Sequence, residues 1–319
     1  MQAIDKIIPV ILCGGQGARL RAVSNADFPK QFHCDEAGKS LLSLTLQRVL
    51  APEIFSAPML FVNVLYKAAI EAGVAEAQAR SSSALRPHII LEPFRRNTLA
   101  PILLAAMLAR RLGMGAKRYI LALPSDHIIE DIQAFQDDMR KGFAVLRAES
   151  GGDGDAGEGA QAGIVYFGLP PLSPSSEYGY VIERDAGGVE FHEKPETYEA
   201  QSLIEQGAQW NSGIFLLDTD IFLRQAAQIS GEVYALAEAV TEQCLTQEGA
   251  ELAELVVLEA GAGAGMLSVI AAELFGRFPA IAFDRFYCEK TSAGRVLRAS
   301  FDWCDIGSIE IYQAKGLRG

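Results

Sequence analysis

Apolar positions in the first 125 residues fall into two alternating patterns. Short continuous runs, Ile7-Ile8-Pro9-Val10-Ile11-Leu12, Met59-Leu60-Phe61-Val62-Asn63-Val64, His88-Ile89-Ile90-Leu91 and Tyr119-Ile120-Leu121-Ala122-Leu123, are each bounded by polar or turn residues. Such runs suit strands buried on both faces, as in a parallel sheet. Between them the apolar spacing is helical: from about Ser40 to Val49, over residues 66–80, and over residues 99–112, where Thr98 is available as N-cap. This order predicts an α/β fold, a Rossmann-like, mostly parallel mixed sheet flanked by helices. In such sheets a ligand binds outside the carboxyl ends of the strands. The polar stretches 13–32, 92–98 and 124–127 follow strands, so they are expected to converge on one crevice.

The second half is less regular. A helix is expected over 131–147, then a Gly/acidic stretch at 150–162 that reads as a flexible surface loop. Short strands follow at 164–168, 179–182 and 189–192, a helix near 197–206 and a strand at 213–217. Residues 218–260 read as largely helical, 261–265 as a loop and 295–299 as a late strand, with no internal repeat.

Composition narrows the function classes. The chain has 319 residues, half of them hydrophobic, which excludes wholesale disorder. Lys+Arg is 28 and Asp+Glu is 40, a net charge of -12 that argues against a nucleic-acid partner. A site for a single nucleotide remains open, since it needs only local cations and backbone N–H groups. No run reaches the roughly 18 apolar residues of a membrane span. The N-terminal residues do not read as a secretory signal, so no membrane association and a cytoplasmic location are expected. The cysteines, Cys13, Cys34, Cys244, Cys288 and Cys304, are odd in number and scattered, with no CxxC, which disfavours zinc and a disulfide framework.

The densest candidate chemistry is Leu12-Cys13-Gly14-Gly15-Gln16-Gly17-Ala18-Arg19-Leu20, followed by Phe28-Pro29-Lys30-Gln31-Phe32. Gly14, Gly15 and Gly17 let the backbone turn tightly and bring N–H groups against an anion. Arg19 can fork onto phosphate oxygens, and Lys30 adds a compact positive charge. The loop lacks the Gly-Lys-Ser/Thr ending of a P-loop, and Leu20 stands where a dinucleotide fingerprint needs its third glycine. A plain glycine turn after a strand is the competing reading.

These segments resemble the signature of the sugar-nucleotide pyrophosphorylases, Gly-Gly-x-Gly-Thr-Arg-Leu followed by Pro-Lys. The Pro-Lys-Gln-Phe form is similar to that of the mannose-1-phosphate guanylyltransferases. Glu92-Pro93-Phe94-Arg95-Arg96-Asn97-Thr98, Leu123-Pro124-Ser125-Asp126-His127, Tyr178-Gly179-Tyr180-Val181, Glu193-Lys194-Pro195, Trp210-Asn211-Ser212-Gly213-Ile214-Phe215 and Trp303-Cys304-Asp305-Ile306-Gly307-Ser308 resemble further motifs of that family in order. The resemblance covers nearly the whole chain. It implies one nucleotidyltransferase domain over 1–319, with a nucleotide half (1–150) and a sugar half (163–319). No cupin isomerase or β-helix domain is expected.

The reaction implied is in-line attack of mannose 1-phosphate on the α-phosphorus of GTP, giving GDP-mannose and pyrophosphate for polysaccharide biosynthesis. Arg19, Lys30 and Asp126 would be catalytic. Gly14, Gly15, Gly17, Arg96 and Asn97 would hold the nucleotide. Gly179, Glu193, Lys194 and Asn211 would hold the sugar. Asp126 and Asp305 would hold Mg²⁺, with Asp302 as a rival to Asp305. For Asp126 a helix-capping role competes, for Lys194 a surface pair with Glu193, and for Asn97 a helix-start role. Trp210 is expected in the core, and His127 is expected to be structural. A homodimer is left open.

Several positions depart from the family pattern: Ala18 for Thr, Arg21-Ala22 for Trp-Pro, an extra Leu99, and Ile309 for Trp. They leave base and sugar selectivity open. Another sugar 1-phosphate or nucleoside triphosphate, and a non-catalytic nucleotide-sugar-sensing subunit, are the alternatives.

Overall fold

A computed structural model describes residues 6–15, 29–81, 86–111, 119–149, 162–184, 188–246 and 266–318. The first half runs β1 (Ile7–Cys13), α1 (Leu41–Arg48), β2 (Met59–Asn63), α2 (Lys67–Ala79), β3 (His88–Glu92), α3 (Leu99–Arg111), β4 (Tyr119–Pro124), β5 (His127–Ile128) and α4 (Ile132–Glu149). The second runs β6 (Ile164–Leu169), β7 (Tyr180–Glu183), β8 (Val189–His192), α5 (Thr197–Glu205), β9 (Gln209–Asp218), α6 (Thr219–Ile229), α7 (Gly231–Thr246), β10 (Met266–Val269), α8 (Ala272–Phe275), β11 (Gly294–Arg298), β12 (Cys304–Asp305) and α9 (Ile309–Ala314).

The main sheet has the order β10-β3-β2-β1-β4-β9-β6-β11, with β7 beside β9 and β8 beside β7. From β10 to β4 every pairing is parallel, while β9 runs antiparallel to both β4 and β6. The sheet is therefore mixed and mostly parallel in its first half, as the sequence predicts.

The strand periodicity of two divides the apolar residues between the faces. Ile7, Ile11, Leu60, Val62, Ile89, Leu91 and Leu121 pack with Leu42 and Leu46 of α1, Ile70 of α2 and Phe135 and Met139 of α4. Ile8, Val10, Met59, Phe61, Ile90, Ile120 and Ala122 pack on the other face with α3, Phe222 of α6 and Val240 of α7. Continuous apolar strands are thus explained by helices on both sides. Among the described residues no helix is long and apolar enough to cross a membrane.

Several expected boundaries shift, each for a local reason. β9 begins at Gln209 rather than Gly213, because Gln209 and Trp210 pair with β7. The Thr98 hydroxyl accepts from the backbone N–H of Phe283 at 2.8 Å, which ties the start of α3 to a later loop. Helix α4 starts at Ile132, and Asp131 accepts from the Ala134 N–H at 2.9 Å. Asp126 is therefore not the cap of that helix. β5, β12, α8, α9 and a single π-helical turn at Asp284–Cys288 had no sequence expectation. The expected loop over 150–161, the helical reading of 247–260 and the loop at 261–265 lie outside the described residues.

Two buried polar groups hold the segments that flank β5 and β12. Arg48 is buried and donates to the carbonyls of His127 at 2.7 Å and Ile129 at 3.3 Å, bracing β5 from behind. Burial pulls its pKa down to about 9. Asp138 of α4 is buried and accepts from both the N–H and the hydroxyl of Ser300, fixing the approach to β12. An Asp138→Ala variant leaves that N–H without its partner. Urea denaturation is expected to show a loss of about 1–3 kcal/mol. An unchanged midpoint would mean that Ser300 needs no such anchor.

Candidate active site

The Pro29-Lys30-Gln31-Phe32 segment forms a 3₁₀ turn over Lys30–Phe32 in which each residue has a separate contact. Pro29 enters it with φ of -68°, the value its ring prefers. Gln31 donates to the Cys13 carbonyl at 2.9 Å, clamping the turn to the end of β1. Phe32 packs into the core against Tyr66, with ring centroids 6.0 Å apart. Lys30 is left pointing the other way and is only 3% exposed.

Its ammonium lies 3.0 Å from Asp126 Oδ2, 3.3 Å from Asp305 Oδ1 and 3.0 Å from the Ile306 carbonyl. Two short strands bring the carboxylates together. β12 pairs antiparallel with β5, setting Asp305 opposite His127, the neighbour of Asp126. Burial works to lower the Lys30 pKa, but Asp126 and Asp305 outweigh it and hold it above the ordinary lysine value. Burial likewise works to raise Asp126, and Lys30, then His127, outweigh it and hold that carboxyl below its usual range. Asp302, the rival to Asp305, instead accepts from the N–H groups of Glu130 and Asp131, both at 2.9 Å to Oδ1. His127 accepts from the Trp303 indole N–H at 3.1 Å.

On one side of this cluster is a cleft of about 460 Å³ at the carboxyl ends of β1, β3 and β4. Gly14, Gly15, Glu92, Arg96, Asn97 and Asp126 line it, so the three polar stretches do converge where they are described. A Cβ on Gly15 would meet nothing within 4 Å, and one on Gly14 would come no nearer than 3.9 Å to Glu92. Among the described residues, nothing crowds the bare backbone of these glycines. Gly17 and Arg19, and the departures Ala18 and Arg21-Ala22, lie outside the described residues. Arg96 sits over the Phe94 ring at 5.7 Å and donates to the Gly276 carbonyl. Asn97 has φ of 60°, in the left-handed region that a short polar side chain tolerates, and accepts from the Thr98 N–H at 2.9 Å.

Glu92 is a residue that the sequence reading quoted only as part of a motif. It is buried, its Oε1 has no hydrogen-bond partner among the described residues, and burial pushes its pKa up to about 8. A glutamate closing an otherwise apolar strand was the available signal.

On the other side is a smaller pocket of about 210 Å³ containing Tyr178, Gly179, Glu193, Lys194, Asn211 and Asp305. Leu12, Thr98 and Pro124 line both cavities, so the two adjoin. A Cβ on Gly179 would fall 3.0 Å from Glu193 Oε2 and from the Phe191 ring, which explains glycine there. Lys194, with φ of 48°, pairs with Glu193. Trp210 is in the core, donating to the Tyr180 hydroxyl at 2.9 Å.

Asn211 is fixed at both ends of its amide. It accepts from the Gly213 N–H at 3.2 Å and donates to Asp284 Oδ1 at 3.0 Å. Asp284 also lines the pocket and was missed by the sequence reading. Burial, then the charge of Glu193, push its pKa up to about 6. A lone carboxylate after Ala280-Ile281-Ala282-Phe283 was the signal, but nothing in the sequence marks the π-turn that aims it.

The donor set suits a hard divalent cation. Asp126 and Asp305 already share one cation, and two carboxylates with remaining positions for phosphate and water match the habit of Mg²⁺. Among the described residues no group of three or more His, Cys, Asp or Glu gathers into a larger cage.

Comparison with known proteins gives the family. The chain is 33% identical over 311 residues to the alginate biosynthesis protein AlgA of Pseudomonas aeruginosa, covering 95% of this chain and 57% of that protein. It is 31% identical over 313 residues to a mannose-1-phosphate guanylyltransferase of Sinorhizobium fredii, covering 96% and 54% respectively. The chain thus spans about half the length of the curated relatives it matches. A solved structure from Thermus thermophilus, described as a mannose-1-phosphate geranyltransferase, superposes with a TM-score of 0.67 at 28% identity, over 95% of this chain and 76% of that one. One from Helicobacter pylori, described as a mannose-6-phosphate isomerase, has a TM-score of 0.70 at 20% identity, over 94% of this chain and 100% of that one, and bears on the fold alone. The family described as nucleotidyl transferase matches residues 8–315, and the chain belongs to that family.

Proposed function

We propose that this protein transfers the guanylyl group of GTP to mannose 1-phosphate, giving GDP-mannose and pyrophosphate. The observation that carries this reading is the Lys30–Asp126–Asp305 cluster at the junction of a nucleotide-sized cleft and a smaller polar pocket. A phosphate oxygen of the sugar phosphate attacks the α-phosphorus of GTP. The bond from that phosphorus to the oxygen bridging to the β-phosphate breaks, and its electron pair leaves with pyrophosphate. The nucleophile is already ionised, so no general base is needed, and positioning with charge stabilisation accounts for the catalysis.

The residues divide the work by place. The backbone of Gly14 and Gly15 borders the triphosphate, and Arg96 and Asn97 border the nucleoside; the roles of Gly17 and Arg19 in holding the triphosphate rest on the sequence motif alone. Lys30 neutralises charge at the phosphate under attack. Glu193, Asn211 and Asp284 meet sugar hydroxyls, Gly179 leaves room for the ring, and Lys194 lies near the sugar phosphate. A Mg²⁺ ion held by Asp126 and Asp305 would supply further charge neutralisation to the phosphates. In this reading residues 1–150 serve the nucleotide and 163–319 the sugar. GTP and sugar phosphates are cytoplasmic metabolites, which puts the reaction in the cytoplasm.

Glu92 supports guanine over the other bases. The guanine edge offers two adjacent donors, N1–H and the N2 amino group, and an ionised carboxylate accepts both. Uracil and thymine offer one N–H flanked by acceptors, which a carboxylate matches poorly. A buried carboxylate with an oxygen unpartnered among the described residues, in the cleft, is therefore suited to read guanine.

Three outcomes are expected. With GTP, mannose 1-phosphate and Mg²⁺ the protein releases pyrophosphate in a coupled assay; none with any sugar 1-phosphate and any common nucleoside triphosphate refutes the enzyme reading. Lys30→Ala and Asp126→Ala each lower kcat by at least about 100-fold, the scale of losing one transition-state stabiliser, and near-normal turnover in either removes that role. Guanine favours the ionised Glu92, whose free pKa is about 8, so KM for GTP falls as the pH rises towards that value and then levels off. Glu92→Gln flattens this dependence and narrows the preference for GTP over UTP; a wild-type KM independent of pH rules Glu92 out as the base reader.

A further inference from the structure

An ammonium has three N–H donors and no more. Those of Lys30 face three acceptors inside the protein: Asp126 Oδ2, Asp305 Oδ1 and the Ile306 carbonyl. In this arrangement the group expected to meet a substrate phosphate has no donor to offer one. It stands between the two carboxylates whose chemistry suits a divalent cation. Charge points the same way. Within this cluster, counting the described residues alone, one ammonium against two carboxylates leaves a net negative charge where a polyanionic triphosphate must approach. A divalent cation on the same carboxylates, with the ammonium retained nearby, reverses that sign.

The backbone under Lys30 is not free to move with it. Gln31 is tied to β1 through the Cys13 carbonyl at 2.9 Å, and the buried ring of His33 meets the Tyr312 hydroxyl of α9 at 2.7 Å. The four-carbon stem of the lysine is flexible. A change of partners is thus a side-chain event, with the turn and the β5–β12 pair beside both carboxylates held in place.

We propose that Lys30 is a resident stand-in for the divalent cation: it fills the cation position between Asp126 and Asp305 in the substrate-free protein and vacates it for the substrate phosphate once a divalent cation takes those carboxylates. The proposal rests on the reading of this cluster as the nucleotidyl-transfer site. It gives Lys30 two successive roles, first counter-ion and then phosphate ligand. It also explains how two carboxylates stay close together before any metal arrives.

The test uses metal alone, without nucleotide or turnover. Mn²⁺ is titrated into the nucleotide-free protein and the free ion is followed by electron paramagnetic resonance. Lys30→Met removes the competitor and is expected to bind Mn²⁺ at least about tenfold tighter than wild type, the scale of one charge-assisted contact. Adding Asp305→Asn to it should abolish that gain. Equal or weaker binding by Lys30→Met overturns the proposal. Should Lys30→Met not fold, the wild-type chain decides: acetylation of Lys30, read by peptide mass spectrometry, should be slow without metal and at least about tenfold faster in saturating Mg²⁺. Unchanged labelling overturns it. Absence of pyrophosphate release would defeat the guanylyltransferase reading and leave these metal-only results standing, so the two failures are distinguishable.

Discussion

Lys30 and Asp305 are 275 residues apart in sequence, yet their charged groups meet, together with that of Asp126, at the carboxyl edge of the sheet. Taking such groups out of water is costly, and a buried ion pair is weak evidence of stability. What the cluster provides is placement. Its three members come from the turn after β1, the loop after β4 and the two-residue strand β12, so it forms only when both halves of the chain are in register. Around it the supporting contacts have a common purpose. Gln31 fixes the turn, Arg48 braces β5 through its carbonyls, and Asp138 anchors the approach to β12. Each is a hydrogen bond to backbone, and such bonds set position more than affinity.

The sugar side follows the same logic with neutral groups. Gly213, with φ of 72°, brings its N–H to the Asn211 oxygen, and Asp284 takes the Asn211 amino group from the opposite direction. An amide held at both ends cannot flip, so it presents one defined donor to the pocket. Gly179 is constrained from two sides, by the Phe191 ring and the Glu193 carboxylate. Selectivity for a sugar can then arise from rigid groups rather than from many contacts.

Much of this was legible in the sequence, for identifiable reasons. The strands β1 to β4 are buried on both faces, so their apolar runs are continuous and unmistakable. The Pro29–Phe32 segment was readable because each of its residues does one job. Asp126 and Asp305 were singled out through their motifs. That they meet was implied by the resemblance alone, because β5 and β12 are two residues each and carry no periodicity. Asp284 escaped because a π-turn has no sequence signature comparable to an N-cap. Glu92 escaped because its importance lies in an absence, a buried oxygen without a partner among the described residues, which only packing reveals.

The net charge of -12 first suggested only that polyanions are poor partners. In the folded chain the cation at the centre, Lys30, is held between two carboxylates until something takes them over. A crystal structure with GDP-mannose and Mg²⁺ bound tests this most directly. The α-phosphate should lie within hydrogen-bond reach of Lys30 Nζ, the guanine edge against Glu92, and the metal on Asp126 and Asp305. An α-phosphate bound away from Lys30, with its ammonium still locked between both carboxylates, would contradict the central role given to this cluster.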